Sequence, residues 1–296
     1  MNNKTIVKYT YLKNNKLLSF LDGSKVLIKN KKRYDLEEVY NYLDSHNVNN
    51  YLKPIKITNK ELYFPYLPNK YLDNDYLAKR LVLNLSILHN KTTIYKEIDK
   101  DKQKEEYDDL KNRIIYLEKY YYTLQDVIES KVYMSPLEYL VIRNISIIYS
   151  ALNYSRELLD KWNDLIKKKK TIRLVYCHGK CCLDHFLNQD EGYFISLENA
   201  HLDRPMLDFL YFYNKNYNDT DMISNFKFYQ HRYRYDEEEM TYFLLKLVIV
   251  EKIDVYEFNL TKVIEVNNYF DKLKSISDFI LEYQKYNHKD KQNNFN

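Results

Sequence analysis

The chain has 296 residues, 45% of them hydrophobic and 30% charged, with a formal net charge of +4 at pH 7. That composition belongs to a folded globular protein long enough to bury one large domain or two lobes. So small a net charge is too little to argue for nucleic acid on its own. There are only three Gly, and Gly is what phosphate-cradling loops use for positive φ and close backbone approach. The 33 Tyr read as the composition of an AT-rich genome rather than as a binding surface. The N-terminus is polar, and no apolar run approaches the roughly 18 residues of a membrane span. Cys177, Cys181 and Cys182 lie together with no Cys elsewhere. This fits a reducing, cytoplasmic setting.

The first 68 residues read as a β-rich lobe with one helix. Ile6–Leu12 and Lys25–Lys29 carry β-branched and aromatic residues, and Asn14-Asn15 and Asp22-Gly23 are turn signals. Asp35 with Glu38 has the form of a capping box ahead of the stripe Leu36, Val39, Tyr40, Leu43. A hairpin follows, with strands Leu52–Ile57 and Leu62–Leu67, and Pro65 and Pro68 mark the exit from the sheet. From 69 to 290 the pattern is mainly helical. Leu77, Leu81, Leu85 and Leu88 share one face. Lys96–Glu106 reads as a solvated helix or connector. Ile114, Leu117, Tyr121, Leu124 and Ile128 form a second stripe, and Leu140–Trp162 reads as one long helix. The basic run Lys167–Lys170 reads as a solvated helix end. Arg173–Tyr176 and Tyr193–Leu197 are short strands flanking a Cys/His-rich loop within 174–200. Helices return at Glu237–Val250 and Leu260–Tyr286, and residues 291–296 read as a frayed tail. The fold class this predicts is α+β.

The informative segment is Val175-Tyr-Cys-His178-Gly179-Lys180-Cys-Cys-Leu-Asp184-His185-Phe-Leu, then Tyr193-Phe-Ile-Ser196-Leu-Glu198, then Arg204-Pro-Met-Leu-Asp208-Phe. Kinases place a catalytic Asp and a metal-binding Asn at fixed spacing after a His, and a second metal-binding Asp on a later short strand. The segment resembles the aminoglycoside phosphotransferase and choline-kinase-like families, and most of all their spore-coat branch. Those families write His-Gly-Asp-x-x-x-x-Asn, then Ile-Asp-aromatic-acidic, then Pro-x-x-Asp. His178 and Gly179, the strand Ile195–Glu198, and Pro205 with Asp208 match that frame. Leu88-His89 resembles the family's helix ending in Leu-His. The resemblance implies a protein-kinase-like bilobal fold, with a small β-rich N-lobe and a large helical C-lobe.

The departures fall on the chemistry. Lys180 stands at the catalytic Asp position, His185 at the metal Asn and Ser196 at the metal Asp. A cationic Lys accepts no hydroxyl proton, and Ser brings no charge to a metal that ordinarily takes carboxylates plus phosphates. Lys8–Leu18 contains no Gly to cradle phosphates. The resemblance therefore implies a pseudokinase, with a noncatalytic binding or scaffolding role, a protein partner in a spore coat or envelope assembly, and no cofactor beyond ATP held without Mg²⁺. Lys29 is the candidate nucleotide lysine and Glu37 or Glu38 its candidate partner; the competing reading is an exposed strand-end lysine. In the family the loop His and the Pro-x-x-Asp aspartate hold the catalytic loop, which His178, Gly179 and Asp208 would do here. Lys180 is expected to pair with Glu198 or Asp184.

Three other readings compete. Asp184 and Glu198 could replace the lost carboxylates in a noncanonical small-molecule phosphotransferase. Cys177, Cys181, Cys182 and His185 could bind zinc, although no second ligand pair accompanies them. Cys181 beside Lys180 could be a low-pKa nucleophile.

Overall fold

The computed structural model describes residues 5–12, 15–68, 73–256 and 259–293, with side chains up to Lys285. Asn14, in the first expected turn, and the last three residues of the tail lie outside the described residues. The chain divides into two compact units. One comprises Met1–Ile94, Arg173–Asp221 and Asn225–Tyr233, the other Tyr95–Ile172, Met222–Ser224 and Arg234–Asn296.

The first unit is built on a five-stranded antiparallel sheet. Its strands are β1 (Ile6–Leu12), β2 (Asn15–Phe20), β3 (Lys25–Asn30), β4 (Lys56–Ile57) and β5 (Glu61–Pro65), in the order β1-β2-β3-β5-β4. Leu18, Phe20, Val26 and Ile28 cluster with Tyr63 on the buried face, the period-2 pattern expected of a half-buried sheet. Strand β2 was not foreseen, because only Leu17, Leu18 and Phe20 carry its pattern. Helix α1 (Leu36–Ser45) buries Leu36, Val39, Tyr40 and Leu43.

Two local expectations fail. Asp35 makes no side-chain cap, because Arg33 holds its carboxylate in a fork, Nε to Oδ1 at 2.5 Å and Nη2 to Oδ2 at 2.8 Å. The strand foreseen over Leu52–Ile57 shrinks to Lys56–Ile57. Pro54 has no N–H to give a ladder, and the chain before it bonds elsewhere: Leu52 N–H donates to Phe194 O and Phe194 N–H to Asn50 O, both at 2.9 Å.

Helix α2 (Asn74–Thr92) is capped by Asp73, whose carboxylate accepts from the Tyr76 N–H. It buries Ala78, Leu81, Val82, Leu85 and Leu88, and near its end the polar His89 and Thr92. Strand β6 (Ile94–Glu97) follows it in the chain. Later in the chain come β7 (Thr171–Cys177), β8 (Phe186–Leu187), β9 (Tyr193–Phe194), β10 (His201–Asp203) and helices α6 (Met206–Asn216) and α7 (Met222–Arg232). The strands flanking the Cys/His-rich loop do not pair with each other. Strand β7 pairs antiparallel with β10, with His201 opposite Cys177, and β8 pairs with β9.

The second unit is helical. Helix α3 (Lys100–Glu129) buries the stripe Leu110, Ile114, Leu117, Tyr121, Leu124 and Ile128. The single helix expected over Leu140–Trp162 is two, α4 (Pro136–Arg143) and α5 (Ile145–Ile166), interrupted at Asn144. A capping box of Ser135 and Glu138, with Pro136 in the first turn, starts α4, and these are strong local start signals. Helix α8 (Glu237–Val248) begins with a second capping box, Asp236 with Glu239. Its buried Glu238 accepts from Trp162 Nε1 at 2.7 Å and from Lys169 Nζ at 2.9 Å, so the carboxylate is paired and hydrogen-bonded inside the unit. Helix α9 (Leu260–Asn293) is one piece. No helix among the described residues is long and apolar enough to cross a membrane. The fold is α+β, a small antiparallel sheet followed by a largely helical remainder.

Candidate functional site

The site is assembled within the first unit from the end of β7, the loop that follows it, the start of α6 and the end of α2. Asp208, in the first turn of α6, is fully buried. Its Oδ2 accepts the backbone N–H of His178 at 2.7 Å and its Oδ1 that of Gly179 at 2.8 Å. The same Oδ2 lies 3.1 Å from His89 Nε2, and His89 Nδ1 lies 2.6 Å from the Tyr229 hydroxyl. Burial alone would raise the Asp208 pKa. The hydrogen bond and charge of His89, the nearby His178 and the backbone N–H it accepts outweigh burial and hold it below the ordinary carboxylate value.

His178 is itself buried. Its Nε2 donates to Ile195 O at 2.9 Å, so its Nδ1 is the acceptor for the Lys180 N–H at 3.2 Å. Burial lowers its pKa despite Asp208, which fits the neutral tautomer those bonds require. Gly179 has φ +78°, and a Cβ there would sit 2.1 Å from Asn199 O. Only Gly fits a positive φ with backbone packed this close. His178, Gly179 and Asp208 thus form one buried hydrogen-bonded group that fixes where the loop leaves β7.

A second cluster forms at Ser196, which has the left-handed conformation φ 65°, ψ 53°. Lys29, from β3, donates from Nζ to Ser196 Oγ at 3.0 Å and lies 5.7 Å from the centre of the Phe64 ring. It is not the exposed strand-end lysine of the competing reading. Burial pushes its pKa down, the charge of Glu198 pulls it partly back, and Lys32 adds to the lowering. Lys29 pairs with neither Glu37 nor Glu38 among the described residues; Glu37 lies 3.4 Å from Lys31 Nζ instead. Nor does an ion pair join Lys180 to Glu198 or Asp184 among the described residues. Lys180 and Asp184 are exposed. His185 Nδ1 is 2.9 Å from Lys180 O and serves the turn of the loop.

The cysteine readings meet the same burial. All three thiols are free and buried. Burial raises the pKa of Cys177 and Cys181 well above the ordinary thiol value, and that of Cys182 as well. Cys181 therefore has the opposite of the activated thiol expected beside Lys180. The group among the described residues whose ligand atoms converge is His89, Cys177 and Asp208, not Cys177 with Cys181, Cys182 and His185. Its donors are already used: Asp208 and His89 as above, and Cys177 Sγ towards Arg204 O at 3.4 Å. A saturated hydrogen-bond group with a protonated thiol is a poor metal cage.

Sequence reasoning assigned no role to His89, although its place in the Leu-His helix end was a signal. It also missed Arg33, which reaches Ala200 O across the loop, and Arg80, which donates to Asn188 Oδ1 at 2.6 Å and to Asp190 O. Neither arginine carries a local motif.

No protein-family model matches the chain, and no curated protein sequence matches it. Solved structures do. An aminoglycoside phosphotransferase from Alicyclobacillus acidocaldarius matches over 96% of this chain and 93% of its own, with TM-score 0.70 and 10% identity. An AMP-bound spectinomycin phosphotransferase matches over 92% and 93%, with TM-score 0.57 and 17% identity. A choline kinase from Streptococcus pneumoniae matches over 93% and 94%, with TM-score 0.50 and 16% identity. The chain has the protein-kinase-like fold of these aminoglycoside phosphotransferase and choline kinase structures.

Proposed function

We propose that the protein is a pseudokinase of the aminoglycoside phosphotransferase and spore-coat-kinase-like type, a noncatalytic binding or scaffolding protein. The observation that carries this is the Lys29–Ser196 hydrogen bond of 3.0 Å. By the resemblance, Ser196 stands where relatives place the metal-binding Asp. Here that position carries a neutral hydroxyl with the protein's own ammonium seated on it. Magnesium takes one or two carboxylates in such sites, and a cation already in contact repels it. The other two replaced positions add no carboxylate: Lys180 is exposed and His185 is spent on a backbone carbonyl. The residues present do not fit a divalent metal, so no metal-assisted phosphoryl transfer is derived for them.

The buried group around Asp208 supports the same reading from the other side. The loop is held in place while its reactive positions are replaced, which is what retention of a fold for binding requires. Lys29 is then a cation for the phosphates of a nucleotide bound without Mg²⁺. A spore coat or envelope assembly as the partner rests on the family resemblance alone, and immunolocalisation in the host tests it.

The test of the main reading is a thermal-shift titration with ATP, in EDTA and in excess Mg²⁺, because a ligand bound to the folded state raises its apparent stability. A shift in EDTA that Mg²⁺ leaves unchanged is expected. No shift in either condition keeps the noncatalytic reading and removes the nucleotide from it. A shift that requires Mg²⁺ overturns the reading in favour of a noncanonical phosphotransferase, with Glu198 and Asp184 the first residues to replace.

A further inference from the structure

The second unit holds a groove that shares no residue with the candidate site described above. It is lined by the start of α3, with Lys100, Lys104, Tyr107 and Asp108, and by the end of α5 and the residues after it, with Asn163 and Lys167 through Lys170. Six lysines line it against two acids, Glu97 and Asp108. The difference is four positive charges, as many as the formal net charge of the whole chain, +4.

The arrangement is more than a solvated helix end. The dipole of α5 favours cations at its last turn, which accounts for lysines after Ile166 but not for Lys100 and Lys104 facing them from α3. Lys169 is neutralised by Asp236 at 2.5 Å and Glu238 at 2.9 Å. Lys100, Lys104, Lys167, Lys168 and Lys170 are exposed, and no ion pair is formed by any of them among the described residues. Five like charges around one concavity repel one another, and an anion laid along them removes that repulsion.

The lining also narrows the ligand. It contains no arginine, so no planar fork matches a single carboxylate. Its apolar share is Ile98 and Tyr107, too little to anchor a protein partner by a buried aromatic or aliphatic hot spot. Single-stranded nucleic acid needs free aromatic faces for its bases. Tyr107 is engaged at both ends: Lys111 Nζ lies 5.7 Å from its ring centre, and its hydroxyl is 3.4 Å from Asp160. A row of lysine point charges without stacking or apolar anchors suits a chain of phosphates carrying neither bases nor side chains.

We infer that the groove between the start of α3 and the end of α5 binds a linear polyphosphate. The site shares no residue with the Lys29–Ser196 cluster and does not rest on the pseudokinase reading.

The experiment is isothermal titration of the full chain with inorganic polyphosphate of defined length, at low and at physiological salt. Three proteins are compared: wild type; Lys100→Gln, Lys104→Gln, Lys167→Gln, Lys168→Gln and Lys170→Gln combined; and a charge-matched control, Lys60→Gln, Lys119→Gln, Lys161→Gln, Lys246→Gln and Lys274→Gln. All of the groove lysines replaced are exposed, so the fold is kept, and circular dichroism checks this. Binding that weakens by about tenfold or more between the two salts, and by a similar factor in the groove variant alone, is expected. Equal losses in groove variant and control place the binding in net charge and overturn the proposal. Tighter binding of a single-stranded RNA of equal charge overturns the assignment to polyphosphate. No binding by wild type at low salt overturns it outright.

Discussion

The ammonium of Lys29 and the hydroxyl of Ser196 are 3.0 Å apart, although 167 residues separate them in the chain. One is supplied by the N-terminal sheet and the other by the loop after β9. The contact has a cost, since burial lowers the Lys29 pKa and a lowered Lys pKa means that the charged form is less favourable in the folded state.

Between the folded pKa of Lys29 and the ordinary lysine value, the unfolded chain binds more protons, so stability rises with pH across that window. Below it the full penalty of the buried charge is present. Lys29→Met is expected to raise Tm by a few degrees at pH 7. The gain should shrink as the pH approaches 10. A Tm lowered at pH 7 would show that the hydrogen bond to Ser196 outweighs the desolvation of the ammonium.

Asp208 gives the opposite titration. Its folded pKa is depressed, so it contributes stability above the unfolded carboxylate pKa of about 3.9 and loses it as pH falls through the folded value. Asp208→Asn turns an amide N–H₂ towards donors and should cost about 3–5 kcal/mol at pH 7 by urea denaturation. The variant should also lack the part of the acid transition below about pH 4 that belongs to this group. A loss under 1 kcal/mol, by the same scale, would remove Asp208 from its role in holding the loop.

The glycines make a graded series. Gly179→Ala places a Cβ 2.1 Å from a backbone oxygen at φ +78°, whereas Gly23→Ala at φ +79° meets nothing within 4 Å. Both pay the left-handed penalty of about 1 kcal/mol, and only Gly179→Ala must also displace backbone. Thermal denaturation should show Gly23→Ala lowered by a few degrees and Gly179→Ala lowered severalfold more, or not folded. Equal effects would argue against the close packing of Gly179 on Asn199.

Thiol reactivity reports on the loop. Cys177, Cys181 and Cys182 are buried thiols with raised pKa values, and the thiolate is the reactive form. A disulfide exchange reagent at pH 7.5 should label them slowly in the native protein and rapidly in denaturant. Fast native labelling of Cys181 would revive the nucleophile reading, and zinc retained after dialysis the metal one.

In the second unit, Trp162→Phe keeps the aromatic volume and removes the Nε1 donor from buried Glu238. The expected loss is about 1–3 kcal/mol by urea denaturation, less if Lys169 keeps the carboxylate satisfied. A double variant with Lys169→Met should lose more than the sum of the single losses, because the buried carboxylate then loses both its indole and its ammonium donor.

Local pattern along the chain sets which segments become elements wherever apolar periodicity is long or caps are strong. The stripe from Ile114 to Ile128, the face of α1 and the start of α8 at Asp236 were legible because a helix repeats every 3.6 residues and its ends need local partners. The site frame was legible as a motif, since His178, Gly179 and Asp208 stand at matching spacings. Tertiary structure alone decided the partners. Asp35 lost its capping role to Arg33, Leu52 gave its N–H to the Phe194 carbonyl rather than to a hairpin partner, and the strands around the cysteine loop paired with β10 and with β8 instead of with each other. Lys29 met Ser196 rather than Glu37, Lys180 met neither carboxylate, and Cys181 was buried rather than activated. These outcomes share a physical reason. Periodicity and capping are local properties of the chain, whereas hydrogen-bond partners, burial and the pKa shifts that follow from them depend on what the fold brings near from far along the sequence.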